Sequence, residues 1–105
     1  MSNDCIFCKI IEGVIPSNQI HSDDLCVAFP DINPKTKVHI LIVPTKHIPT
    51  IKDLGHEDEK LMGHLIGVAR DIAKKENLEG YKLQFNVGEK GGQEVFHIHL
   101  HLMGN

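Results

Sequence analysis

The chain has 105 residues, 41% of them hydrophobic, with 11 Lys+Arg against 14 Asp+Glu and a formal net charge of −3. That balance excludes a disordered or collagenous chain and suits one domain spanning 1–105. No apolar run approaches the roughly 20 residues of a membrane span, and with no Lys/Arg block, no Trp and a single Tyr the chain lacks the basic stripe of a nucleic-acid binder.

The N-terminal Met-Ser-Asn-Asp-Cys carries no charged stretch leading into an apolar one, so no signal peptide and a cytoplasmic location are expected. Asp4 is placed to cap a short helix from Ile6 to about Glu12, which Gly13 ends. Gln19–Ser22 and Leu25–Phe29 read as a hairpin around Asp23-Asp24, and the Pro30–Pro34 cluster as a turn. Val38–Val43 is nearly all apolar and β-branched, the pattern of a central strand buried on both faces. From about Glu57 to Glu76 the period changes: Leu61, Met62, Leu65, Ile66, Ala69, Ile72 and Ala73 form one stripe of an amphipathic helix. Acidic residues at its start and Lys74-Lys75 at its end suit the helix dipole. Tyr81–Val87 and Val95–Met103 read as the last strands, joined by the glycine-bearing segment 88–94. The expected fold is α+β: an antiparallel sheet of about five strands with one long and one short helix.

The segment Phe96-His97-Ile98-His99-Leu100-His101-Leu102 carries the strongest signal. Alternate residues of a strand face opposite ways, so His97, His99 and His101 share one face while Phe96, Ile98, Leu100 and Leu102 turn to the core. A polar face that happens to be histidine is the plainer reading for one such residue. Three in strict alternation beside Gly88, Gly91 and Gly92 point to chemistry. Two chemistries fit: three imidazoles can chelate a metal, or one can act as a nucleophile with neighbours that orient it and stabilise charge. Imidazole is a competent nucleophile near neutral pH, and phosphorus is a suitable target. A glycine segment leading into the strand, able to bring N–H groups near an anion, favours the second.

The stretch Gly92-Gln-Glu-Val-Phe-His97-Ile-His99-Leu-His101-Leu-Met103 resembles the signature of the histidine triad (HIT) family, in particular its Hint branch of nucleoside phosphoramidases. The resemblance extends through Cys5-Ile-Phe-Cys-Lys-Ile-Ile, Ala28-Phe-Pro-Asp-Ile-Asn-Pro, His39-Ile-Leu-Ile-Val-Pro and Asn86-Val-Gly-Glu-Lys-Gly-Gly-Gln, nearly the whole chain. It implies that His99 attacks the α-phosphorus of a purine nucleotide conjugate, such as a phosphoramidate or an adenylylated group, and that water then releases AMP or GMP. By the same resemblance His101 contacts phosphate and leaving group, His39 and His97 support the array, Asp31 binds ribose hydroxyls, Ile32 packs on the base, and Asn86, Gly92, Gln93 and Glu94 reach the phosphate side. Glu94 stands where many members have Ser, and a carboxylate repels phosphate unless protonated or turned away. The chain stops at Asn105, where Hint proteins often continue into a tail reaching the partner's site, so a different substrate preference is expected. The resemblance also implies a homodimer whose sheet runs across both subunits.

Cys5-Ile-Phe-Cys8 lacks the strand-before-helix context of a redox pair. A zinc ion needs two further ligands, and a subset of HIT proteins with this C-x-x-C takes them from histidines matching His47 and His97. The resemblance thus implies a closed Cys₂His₂ structural zinc site. Cys26 reads as a buried thiol, and His21, His56 and His64 as surface residues. Two other functions stay open: a dinucleoside polyphosphate hydrolase of the same family, and a nucleotide-binding interaction module without a catalytic role.

Overall fold

The computed structural model describes residues 4–105. Five strands form one antiparallel sheet: β1 (His21–Ser22), β2 (Cys26–Pro30), β3 (Val38–Pro44), β4 (Lys82–Gln84) and β5 (Leu100–Gly104), in the order β1-β2-β3-β5-β4. Two α-helices cover it, α1 (Ile6–Ile11) and α2 (Glu59–Lys75). The expected α+β architecture is present. No helix among the described residues is long and apolar enough to cross a membrane.

The two faces of the sheet follow directly from period-two alternation. Cys26, Ala28, Ile40, Ile42, Leu100 and Leu102 point one way and meet Leu61, Leu65, Val68, Ala69, Ile72 and Ala73 of α2. Each buried Leu or Ile there contributes about 1.5–3 kcal/mol. Val27, Phe29, Leu41 and Val43 point the other way, against Phe7 and Ile10 of α1. The central strand is therefore buried on both faces, as its composition predicts.

Several boundaries differ from the sequence expectation. The cap of α1 is Cys5, whose Sγ accepts from the Cys8 N–H at 3.4 Å, in place of Asp4. Helix α2 begins at Glu59 after a 3₁₀ turn at His56–Asp58 and ends at Lys75; beyond its cap, Glu76, the left-handed Asn77 with φ of 59° lets Leu78 N–H reach back to Ala73 O at 3.0 Å. Strand β4 keeps only three residues. The last strand starts at Leu100 rather than Val95, because the preceding backbone turns aside: Ile98 N–H donates to Ile48 O at 2.8 Å, outside the ladder. Phe96, expected in the core, is 45% exposed on this irregular stretch. Of the three histidines expected at the surface, only His56 is exposed. His21 and His64 are half-buried, and both donate to Asp23, at 2.6 and 2.8 Å.

Candidate functional site

His39 on β3 pairs in register with Met103, and Leu41 with His101. Cross-strand partners share a face, as do residues two apart. His39 and His101 therefore lie on the face that α1 covers. His99 joins them through ring contacts, with its centroid 4.9 Å from that of His101 and 5.0 Å from that of Phe7. The alternation of the three histidines thus survives although only His101 lies in the ladder.

Hydrogen bonds assign the tautomer of each ring. Lys35 N–H donates to His39 Nδ1 at 3.0 Å, so the His39 proton sits on Nε2. That Nε2–H lies 2.9 Å from His101 Nδ1 and 3.4 Å from Asp31 Oδ2. His101 accepting on Nδ1 must carry its proton on Nε2. This Nε2 is buried and meets no hydrogen-bond partner among the described residues, an arrangement that costs about 1–3 kcal/mol unless something accepts from it. His99 behaves in the opposite sense. Its Nδ1–H donates to His97 O at 2.8 Å, which leaves the Nε2 lone pair unused among the described residues.

Burial pushes His99 and His39 below the usual imidazole range. Burial, reinforced by the neighbouring His99 and His39, pushes His101 down to about 4. The rings are therefore neutral at physiological pH, and the donor and acceptor pattern above is the working one.

His99 and His101 line a cavity of about 310 Å³ together with Phe7, Ile10, Phe29, Leu41, Asp31, Ile32, Asn86, Gly92 and Glu94. The lining mixes apolar side chains with a few polar and charged ones, the combination that suits a small ligand. Ile32 is 90% exposed at the rim. Asp31 closes its own turn by accepting from Asn33 N–H at 2.8 Å on Oδ1. Asn86 accepts from the Gln84 amide at 2.8 Å and is 3.4 Å from Gly92 O. A wider groove of about 600 Å³ beside Tyr81, Lys82 and Asn105 contains no histidine.

Two expectations change here. Gln93 does not line the cavity. Its side-chain amide is buried, donating to Pro49 O at 2.7 Å and Val95 O at 3.0 Å while Oε1 accepts from Gly88 N–H at 2.9 Å. The glycine segment also spends its donors internally: Gly91 N–H and Gln93 N–H bond to Gly88 O, and Gly92 N–H to Glu89 O, all at 3.0 Å. Gly88 and Gly92, with φ of 75° and 87°, allow this tight turn. The N–H groups of Gly88, Gly91, Gly92 and Gln93 are therefore spent within the turn rather than offered to an anion.

His97 points away from the cavity into a second cluster. It is fully buried, and its Nε2–H donates to Pro44 O at 2.8 Å, leaving the Nδ1 lone pair free. That Nδ1 is 3.3 Å from Cys5 Sγ, 3.6 Å from Cys8 Sγ and 3.1 Å from His47 Nδ1, and Cys8 Sγ is 3.3 Å from His47 Nδ1. These four ligand atoms, brought together from α1, the segment after β3 and the approach to β5, could hold a metal ion. A tetrahedral centre with ordinary metal–sulfur and metal–nitrogen bonds has edges of about 3.3–3.8 Å, so these four gaps lie within a few tenths of an ångström of those edges. Burial pushes His97 down to about 4, which keeps the ring in the neutral form that ligation requires.

Comparisons with known proteins identify the family. The family described as scavenger mRNA decapping enzyme, C-terminal binding, matches residues 4–105. A purine nucleoside phosphoramidase of Escherichia coli K12 is 47% identical over 99% of this chain and 89% of its own length. A HIT family hydrolase from Legionella pneumophila superposes with a TM-score of 0.94 at 47% identity, covering 96% of this chain and 92% of that one. A histidine triad protein from Clostridium difficile gives 0.95 at 39% identity, covering 100% and 93%.

Proposed function

The chain belongs to the histidine triad family, and on that premise we propose that it is a hydrolase of purine nucleoside phosphoramidates and adenylylated conjugates, releasing AMP or GMP through a nucleotidyl-histidine intermediate. The observation that carries this reading is the fixed tautomer of His99, whose Nδ1–H is tied to His97 O and whose Nε2 is an unprotonated nucleophile on a ring lining the cavity. In the first half-reaction His99 Nε2 forms a bond to the α-phosphorus as the bond from phosphorus to the leaving amine breaks. His101, with a proton on an unpartnered Nε2, is the donor for the phosphoryl oxygen or the departing group. His39, itself anchored by Lys35 N–H, holds His101 in that tautomer. In the second half-reaction water attacks phosphorus and His99 leaves.

Asp31 and Ile32 at the mouth are the ribose and base contacts, with Phe29, Leu41 and Ile10 forming the apolar wall. Asn86, Gly92 and Glu94 lie on the phosphate side. Glu94 is exposed, so its carboxylate can turn to water instead of facing the anion. Gln93 acts at one remove, by bracing the turn.

Cys5, Cys8, His47 and His97 hold a structural zinc, which ties α1 to the sheet and fixes His97, the residue whose carbonyl orients His99. The protein works as a homodimer: β4 is an edge strand with Leu83 and Tyr81 exposed, ready to continue the sheet into a second copy. Turnover of an AMP-amine set against diadenosine polyphosphates tests the substrate class. Faster release of AMP from the amine supports this reading, and preference for the polyphosphate replaces it with the anhydride reaction.

A further inference from the structure

On the opposite face of the sheet from the cavity, under α2, lies a polar cluster that the proposed hydrolysis does not use. Asp23 sits in the turn between β1 and β2, and its Oδ1 accepts from Leu25 N–H at 2.7 Å and Cys26 N–H at 2.9 Å. This double anchor fixes the carboxylate and turns Oδ2 toward three other elements. His21 Nε2 approaches it from β1 at 2.6 Å, His64 Nε2 from α2 at 2.8 Å, and Cys26 Sγ from β2 at 3.8 Å. The four potential ligand atoms all lie within 4.8 Å of one another. His21, Asp23 and His64 are half-buried and open to solvent on one side, while Cys26 is fully buried beneath them.

We propose that His21, Asp23, Cys26 and His64 form a second metal site, for a divalent transition cation of zinc's class. Two imidazoles, one carboxylate and one thiol are the borderline donor set that such ions select over calcium or magnesium. The positions come from three elements, so the ion clamps α2 to the hairpin. The gap from Cys26 Sγ to Oδ2 already matches a tetrahedral edge. The two nitrogen-to-oxygen gaps are hydrogen-bond lengths and open by about 0.5–0.8 Å when an ion replaces the shared protons. On binding, each ring's proton moves from Nε2 to Nδ1, the two nitrogens donate their lone pairs, and the Cys26 thiol releases its proton to solvent.

The test is metal content per chain after equilibrium dialysis of the full-length protein against zinc, compared between wild type and His64→Ala, with His21→Ala and His64→Gln as independent replacements. Wild type should hold one more ion per chain than each variant, whatever the occupancy of the Cys5 and Cys8 cluster. In the cobalt form, Cys26→Ala should lose the sulfur-to-cobalt charge-transfer band belonging to that additional ion. Circular dichroism identifies a variant that has unfolded, and the comparison then rests on the other two. Equal metal content in wild type and the folded variants would overturn the site and leave a hydrogen-bonded knot around Asp23. Retention of the full charge-transfer intensity in Cys26→Ala would overturn the thiolate ligand.

Discussion

His99 Nδ1 lies 2.8 Å from the carbonyl oxygen of His97. One backbone acceptor thereby decides which nitrogen of the next histidine keeps its proton, and it hands the free lone pair to Nε2. The same His97 uses its side chain in the Cys5 and Cys8 cluster, so the proposed zinc and the proposed nucleophile share one residue. Replacing His99 with Ala removes the attacking atom but leaves Asp31 and the apolar wall in place. Turnover of an AMP-amine should fall by roughly 10³-fold or more, while AMP affinity by calorimetry changes little. An adaptor whose role is docking alone would lose nothing in its partner binding.

Asp31→Ala should raise KM for nucleotide conjugates about tenfold to a hundredfold, with a smaller change in kcat, since charge-assisted bonds to ribose hydroxyls are remote from phosphorus. Steady-state kinetics check the split. Because Asp31 Oδ2 is also 3.4 Å from His39 Nε2, a kcat loss equal to that of His99→Ala would instead place Asp31 in the histidine chain.

Burial and the neighbouring histidines put folded His101 near 4 against an ordinary 6.5. Below 6.5 the unfolded chain takes up a proton that the folded ring refuses, so His101 makes stability fall as pH drops from about 6.5 to 4. Above that window it contributes no slope. Urea unfolding at pH 7 and pH 5 should show a smaller loss for His101→Gln than for wild type. Identical losses would mean that His101 is not held neutral.

Changing Cys5 and Cys8 together to Ser should remove one zinc per chain and lower stability by at least several kcal/mol, because the free energy of binding a structural zinc is also folding free energy. Metal analysis and thermal unfolding check this. Residual turnover should fall less than in His99→Ala, because the lost ligands do not touch phosphorus. Unchanged zinc content would remove the site.

Much of this arrangement was legible in the chain because it depends on local period. Alternation alone separates Val27, Phe29, Leu41 and Val43 from Ala28, Ile40 and Ile42, and it puts His97, His99 and His101 on one side even where residues 95–99 leave the ladder. What local pattern cannot supply is the long-range partner of a polar group. Gln93 is spent on Pro49, 44 residues away, and nothing in Gly-Gly-Gln distinguishes that from an amide facing phosphate. Phe96 follows the alternation on paper, but the bond from Ile98 N–H to Ile48 O takes this stretch out of the sheet. His64 meets Asp23 across 41 residues, which is why a helical histidine read as a surface residue turns out to be tied to the hairpin. The Cys5, Cys8, His47 and His97 grouping spans 92 residues and was reachable only through the family resemblance.

The account rests on His99 as the residue that takes the nucleotide. Wild-type protein quenched in acid-free denaturant during turnover of an AMP-amine, then digested and mapped by mass spectrometry, should carry AMP on His99 and on no other histidine. An adduct on His97 or His101, or turnover with no adduct that instead follows a metal held by all three triad histidines, would contradict it.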